Sequence, residues 1–508
     1  MNEIRILLLG KQEQWNNIPL AKNVVLDCLE TFTQPPEDVR SYEAVILDRT
    51  PTPEECQLLH PLTKAHTLFA SNQVDLNRCR YYFACKLGKI WSREQIVRFL
   101  KEDALWFFPS PYGEKYQMSQ LTVSRNFHGQ VSWMGNCALR LEGAFGSQFT
   151  QTASWKNNIP LEEGQTIDFW LEYRKSPGVS ITLNAVLFVA GSLADVLQTW
   201  TFDEESLKEP VQMKARKKGF LFVSIHAKGT GTLEIIALHD RYSRGPYGYF
   251  IPGGERYVTS QREEIFCYFD PGDRKPPLNV YFSGYKTREG FEGYYMMRKL
   301  GSPFLLIAEA RLEGGSFYIG SEEYEKLMVS ILEKYRQQLR FSADEVILSG
   351  NSMGSTGALY YGCDLQPHAV IVGKPVVNLG TVALNEKRNR PGGFPTSLDL
   401  LLLYGGDTTI QAAQNLNQRF WEKFRNADWG KTKLILSYML EDDYDREAYH
   451  EMLAELSMKD ANIYGRGLHG RHNDNTYGIV QWFTSQFRKI LREDFADSYS
   501  QLRQEITK

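Results

Sequence analysis

No apolar run in this chain approaches the ~20 residues that a bilayer-spanning helix needs. The longest candidate, Leu398–Tyr404, is too short and contains Asp399. The opening Met1–Gly10 segment is too short in apolar residues for a secretory signal and is patterned as a strand, so the chain is expected to stay inside the cell. Cysteine is scarce, with seven in 508 residues. The number is odd and no pair forms C-x-x-C, which argues for reduced, buried thiols rather than a disulfide framework. A net charge of −3 provides no general attraction to nucleic acid or to an anionic membrane. No Gly-x-Gly-x-x-Gly follows the first predicted strand, because Gly10 stands alone before Lys11-Gln12-Glu13. A dinucleotide site is therefore not expected there. Phosphate-cradling loops and His/Cys ligand spacing are also missing, so neither a bound nucleotide nor a metal is expected. There is no internal repeat and no low-complexity tail.

What is present is apolar and aromatic material for several cores, 42% and 13% of the residues. The length exceeds what one core can organise. Residues 1–105 read as a small α/β region, Rossmann-like or flavodoxin-like, with strands at Ile4–Leu9 and Ala44–Leu47 and a helix at Ser92–Lys101. Residues 110–245 change rhythm to short alternating runs between turn signals: Val131–Met134, Ala138–Leu141, Thr166–Tyr173, Ser180–Val189, Gly219–Ala227 and Gly231–Leu238. That rhythm predicts an antiparallel β-sandwich, like that of carbohydrate-binding modules. Trp155, Trp170 and Trp200 lie in or beside these strands, as core or as platforms for a sugar ring. His226 and His239 are expected to pack or hydrogen-bond rather than bind metal. Residues 255–508 alternate strands and helices in the α/β-hydrolase manner. Leu398–Tyr404 fits either a buried strand or a helix capped near Pro395-Thr396-Ser397, and helix is the preferred reading.

The chemistry concentrates at Gly350-Asn351-Ser352-Met353-Gly354. An apolar strand, Val346–Ser349, meets this Gly-x-Ser-x-Gly turn and a small-residue helix follows, the context of a nucleophile elbow. The alternative is a glycine-lined turn whose serine merely caps the helix. A serine hydroxyl needs a histidine to take its proton and a carboxylate to orient that histidine. His472, in the loop before the last helix, is the preferred base and His469 the second choice; His450 falls in a helical pattern. The acid is sought just beyond Leu434–Leu440, where Glu441-Asp442-Asp443 follow. Asp442 is preferred, then Glu441 and Asp443, with Asp407 a weaker candidate. These carboxylates equally suit an acidic helix N-terminus. An oxyanion hole is expected from the Met353 amide and from the loop at Ser283-Gly284-Tyr285, with Gly284 as donor.

A small α/β region, a β-sandwich and a hydrolase region carrying Gly-Asn-Ser-Met-Gly-Ser-Thr-Gly-Ala (350–358) together resemble the accessory Sec system proteins of the second type, found in streptococci and staphylococci. Leu238-His239-Asp240-Arg241-Tyr242-Ser243-Arg244 and Arg471-His472-Asn473-Asp474 add to the resemblance. It implies a part in exporting serine-rich-repeat glycoprotein adhesins, alongside the accessory Sec proteins of types one and three and a motor ATPase. It further implies O-acetylation of N-acetylglucosamine on the adhesin, with an acetyl donor such as acetyl-CoA as co-substrate and no bound cofactor. The location implied is cytoplasmic or peripheral at the inner membrane face. Carried over by motif, Ser352 matches the nucleophile, His472 the base and the acidic stretch after Leu440 the third member. A carbohydrate or acyl esterase with the same residues, or a non-catalytic export adaptor, are the competing readings.

Overall fold

The computed structural model describes residues 3–36, 41–110, 113–192, 194–457 and 459–497. The architecture is mixed α/β with three sheets. The N-terminal sheet is wholly parallel, built from Ile4–Leu9, Val24–Leu29, Ala44–Leu47, Leu68–Ser71 and Lys89–Trp91. Numbered in chain order it reads 2-1-3-4-5, the flavodoxin-like member of the two alternatives. Only the short turn Gln12–Gln14 follows the first strand. A Cβ at Gly10 would come within 2.9 Å of Asp48 Cβ, so this glycine is required by close packing. Trp15 Nε1 donates to Asp48 Oδ2 at 2.9 Å and fills the space at the strand ends.

The middle sheet is antiparallel throughout. Two of its predicted strands are one: Gly219–Tyr242 runs unbroken for 24 residues and pairs with five others. The break expected near Gly229 and Gly231 is instead a bulge, where both glycines hold positive φ and the register slips. Ala138–Leu141 likewise extends to Trp155. Trp155 and Trp170 are 1% exposed and belong to the interior, so they offer no platform to a sugar. Trp200 is half-buried against the same core.

The C-terminal sheet has eight strands: Gly254–Val258, Glu264–Asp270, Leu278–Phe282, Phe304–Ala308, Val346–Asn351, Ala369–Gly373, Lys433–Met439 and Asn462–Leu468. In chain order its strands lie 1-2-4-3-5-6-7-8. The pairs made by Glu264–Asp270 are antiparallel and the remaining pairs parallel. Except for the exposed edge strand Asn462–Leu468, the parallel strands are mostly buried runs of Leu, Ile, Val and aromatic residues, because helices such as Met353–Leu365 and Thr476–Glu493 cover the faces. Gly254–Val258 was not among the predicted strands; its charged residues mask the alternation. Asn462–Leu468 is longer than predicted and absorbs Gly465 and Gly467, read from sequence as loop. Pro395–Gly405 is the expected helix. The Asp399 that interrupts its leucine run accepts the Asn136 amide at 2.9 Å, docking the turn after Gln130–Met134 onto this helix.

The three sheets meet at the end of the long Gly219–Tyr242 strand. Arg244 donates to the carbonyls of Trp106, Phe108 and Phe250 at 3.0, 2.6 and 2.9 Å. Arg241 grips Glu264 through two parallel bonds of 2.9 and 2.6 Å and reaches Glu289 at 2.5 Å. His239 bonds both Glu172, at 3.0 Å, and Glu289. Glu172, His239 and Glu264 bring potential ligand atoms close together. The Arg241 guanidinium already satisfies Glu264, however, and the pairing is complete without an ion.

Candidate active site

Ser352 stands between the Val346–Asn351 strand and the Met353–Leu365 helix, with φ 52° and ψ −120°. Positive φ costs a non-glycine residue energy and persists only where its surroundings enforce it. The surroundings here are two glycines. A Cβ on Gly350 would fall 2.2 Å from Gly354 O, and one on Gly354 would fall 2.1 Å from Phe282 O. Strand, helix and neighbouring strand therefore close to a distance that no side chain permits. The Ser352 amide is anchored on Gly373 O at 2.9 Å, leaving its hydroxyl at the carboxyl edge of the sheet.

Ser352 Oγ lies 2.8 Å from His472 Nε2. The other ring nitrogen, His472 Nδ1, lies 2.9 Å from Asp442 Oδ2 and 3.2 Å from Oδ1. His472 and Asp442 are 1% and 7% exposed. Burial pushes the Asp442 carboxyl upward, but the His472 bond and the Tyr444 and Asp445 amides outweigh it and hold it below the ordinary aspartate value. Asp442 stays ionised at neutral pH, fixes the Nδ1–H tautomer and leaves Nε2 free to accept from the serine.

The remaining acidic candidates separate by place. Asp443 Oδ1 accepts the His472 backbone amide at 3.1 Å and its Oδ2 faces Arg390 Nη1 at 3.3 Å. Glu441 pairs with the exposed ring of His469 at 3.1 Å, a couple that does not include Ser352. Asp407 accepts Thr409 N and Oγ1 at the start of the Ile410–Asn426 helix. His450 lies in the Ala448–Leu456 helix against Tyr438 and Tyr449. The Met353 amide, first of the helix, has no acceptor among the described residues. Gly284 lies beside the elbow, but its amide donates to Glu292 Oε2 at 2.7 Å.

Several neighbours escaped the sequence. Tyr444 stacks on His472 with rings 3° from parallel and centroids 4.2 Å apart. Phe394 stacks on Tyr444, and Arg390 lies 4.4 Å from the Tyr444 ring centre. Lys374, also at positive φ, follows the strand whose Gly373 anchors Ser352, and its Nζ donates to Thr476 Oγ1 at 3.2 Å. Burial lowers its pKa, with Asp442 and Asp474 opposing. Only Tyr444 had a local signal, its place two residues beyond Asp442. Arg390, Phe394 and Lys374 arrive from segments far away in the chain.

The chain is similar to known proteins over most of its length. The chain is 42% identical over 389 residues to an accessory Sec system protein of the second type from Staphylococcus aureus, covering 76% of this chain and 74% of that protein. It is 37% identical over 465 residues to the corresponding protein of Streptococcus gordonii, covering 90% of each. Among solved structures, a chain of the Glycosylation Associate Protein complex from Streptococcus agalactiae superposes with a TM-score of 0.85 at 35% identity, over 97% of this chain and 99% of that one. The family match runs from residue 5 to residue 497 and takes in all three sheets, the elbow and the His472 loop. By that extent, the chain belongs to the accessory Sec system GspB-transporter family.

Proposed function

We propose that this chain is a serine O-acetyltransferase of α/β-hydrolase fold that acetylates N-acetylglucosamine on serine-rich-repeat adhesins during their export by the accessory Sec system. The observation that carries the chemistry is the relay Ser352 Oγ–His472 Nε2–Asp442 at an elbow of positive φ. The strand order of the C-terminal sheet, with the elbow after its fifth strand, supports the fold. Family membership supports the pathway.

His472 Nε2 takes the proton of Ser352 as Oγ bonds to the acetyl carbon of the donor, a thioester such as acetyl-CoA. The carbonyl oxygen becomes an oxyanion facing the Met353 amide and the positive end of its helix. Collapse breaks the bond to the leaving thiol, which receives the proton from His472, and acetyl-Ser352 remains. A sugar hydroxyl then gives its proton to His472 and attacks the same carbon. Ser352 leaves with the proton and the sugar carries the acetyl group. Asp442 stabilises the imidazolium in both halves without itself being protonated. Transfer prevails over hydrolysis when the sugar hydroxyl is held at the acyl carbon ahead of water. The rings of Tyr285, Phe394 and Tyr444 form a connected wall beside His472 suited to that placement.

Intact-mass analysis of the glycosylated adhesin tests the reading. Cells carrying Ser352→Ala at unchanged protein level lose the acetyl-sized mass increments; identical glycan masses refute the transferase. A second reading, an export adaptor working with the other two accessory Sec proteins and the motor ATPase, is favoured by one observation. The similar Streptococcus agalactiae chain comes from a complex. Adhesin export that persists in Ser352→Ala while acetylation stops assigns both roles to one chain, cytoplasmic or at the inner membrane face.

A further inference from the structure

We infer that the second oxyanion donor is the backbone amide of Tyr285, one residue beyond the glycine the sequence points to, and that Glu292 is the positioning residue that sets it. The inference rests on the reading of Ser352 as the nucleophile.

The chain leaves the Leu278–Phe282 strand directly beside the elbow, with Phe282 in register with Gly350. A Cβ on Gly354 would lie 3.3 Å from Ser283 O, and one on Gly284 would lie 3.3 Å from Asn351 O. Three successive amides follow. Gly284 N donates to Glu292 Oε2 at 2.7 Å, and Lys286 N donates to Gly314 O at 3.2 Å. Tyr285 N, between them, has no acceptor among the described residues. Ser283 to Lys286 belong to no helix, strand or hydrogen-bonded turn. The flanking amides are turned to their acceptors, and that of Tyr285 is left open between them.

The loop and the elbow share a support. A Cβ on Gly314 would overlap the Tyr285 ring, and one on the adjacent Gly315 would overlap the Met353 side chain, so Tyr285 and Met353 rest on neighbouring residues of one segment. The Tyr285 ring also meets Phe394 at 5.3 Å, and Phe394 stacks on the tyrosine that stacks on His472. A helix start leaves its first amides open, Met353 among them, and Tyr285 N, in the loop beside the same elbow, also has no acceptor among the described residues. An oxyanion at the acyl carbon supplies the acceptor both lack.

Glu292 closes the neck of the loop reciprocally: its amide donates to Ser283 Oγ at 3.1 Å while its carboxylate accepts from Gly284. If Gly284 were the donor, this carboxylate would occupy the oxyanion's place and repel it. The two assignments therefore predict opposite signs. Removing the Glu292 carboxylate slows acylation if Tyr285 is the donor and speeds it if Gly284 is.

The test is the p-nitrophenolate burst from p-nitrophenyl acetate with the full chain, each variant's melting temperature being measured alongside. Tyr285→Pro deletes the amide and is expected to acylate about 10²-fold more slowly than Tyr285→Ala, which keeps it. Glu292→Ala is expected to slow the burst, and Glu292→Gln, which retains an oxygen for the Gly284 amide, to recover most of the loss. A faster burst in Glu292→Ala, or equal bursts in Tyr285→Pro and Tyr285→Ala, overturns the assignment while leaving Ser352 as nucleophile. A wild-type chain whose burst equals that of Ser352→Ala overturns the nucleophile reading and this inference together.

Discussion

Two buried histidines in this molecule are each flanked by carboxylates, and they do different work. His239, at the junction of the sheets, spends both ring nitrogens on Glu172 and Glu289. Burial opposes its charge, but the two glutamates outweigh burial and raise its pKa, with Arg241 beside it bonding Glu289 and Glu264. It is an ion-paired clamp with no lone pair left for chemistry. His472 spends one nitrogen on Asp442 and keeps the other on a serine hydroxyl. One carboxylate makes a base; two make a strut. Residue type and burial are the same, and the count of acceptors around the ring separates them.

The comparison breaks first at the elbow. Ser352→Ala and His472→Ala are each expected to reduce acetyl transfer by at least ~10³-fold. Circular dichroism and the melting temperature should stay near wild type, since neither side chain ties sheet to sheet. Asp442→Asn comes next, about 10²–10⁴-fold in kcat, because the wrong tautomer then faces the serine; steady-state rates on p-nitrophenyl acetate measure it. At the junction the effect moves from rate to stability. Arg241→Met leaves Glu264 to Arg256 and Glu289 to His239 and is expected to cost about 3 kcal/mol in denaturant unfolding. Activity per folded molecule should be little changed there. An Arg241→Met chain that melts normally yet has lost its burst would show that the junction and the elbow are one device.

The acid limb gives a smaller, signed effect. The native Asp442 carboxyl lies below its ordinary value. Its contribution to stability is thus present above the unfolded aspartate pKa of about 3.9 and is lost as pH falls through the lower native value. The stability gap between wild type and Asp442→Asn should narrow on acidification over that range; a gap that widens contradicts the assignment. Smallest of all, Glu441→Gln and His469→Ala remove an exposed, solvent-screened pair and should leave the melting temperature at its wild-type value. A rate loss comparable to that of Asp442→Asn would put His469 back among the candidate bases.

Much of this was legible in local pattern. The flanking glycines of Ser352 must be glycine because a Cβ at either would strike backbone within about the same short distance, 2.2 and 2.1 Å. The clash at Gly350 is with Gly354, four residues on, and that at Gly354 with Phe282 on the neighbouring strand, yet both are recorded in five adjacent letters. The alternation of residues 130–242 likewise announces antiparallel strands, though not that two runs joined through Gly229 and Gly231 form one strand. A glycine pair in sequence reads as a turn, and only the pairing of both sides to common partners reveals a bulge. Sequence ranked Asp442 ahead of Glu441 and Asp443 but had no geometric ground for the order, for a related reason. All three leave the same strand end, and which carboxylate reaches His472 depends on how two loops thirty residues apart are set against each other.

The sequence by itself therefore determined the elements and the elbow, because hydrophobic period and turn residues act between near neighbours and the elbow's glycines lie within five adjacent letters. Sequence already preferred His472 as base and expected His239 to pack or hydrogen-bond; tertiary structure decided which carboxylates each one meets. It turned the Gly284 amide to Glu292, brought Tyr444 to the face of the base and Arg390 to Tyr444, and drew Arg241 and Arg244 into the joint between sheets. Those outcomes depend on directions of side chains and amides across distant segments, and direction in space is a property that no spacing along the chain encodes.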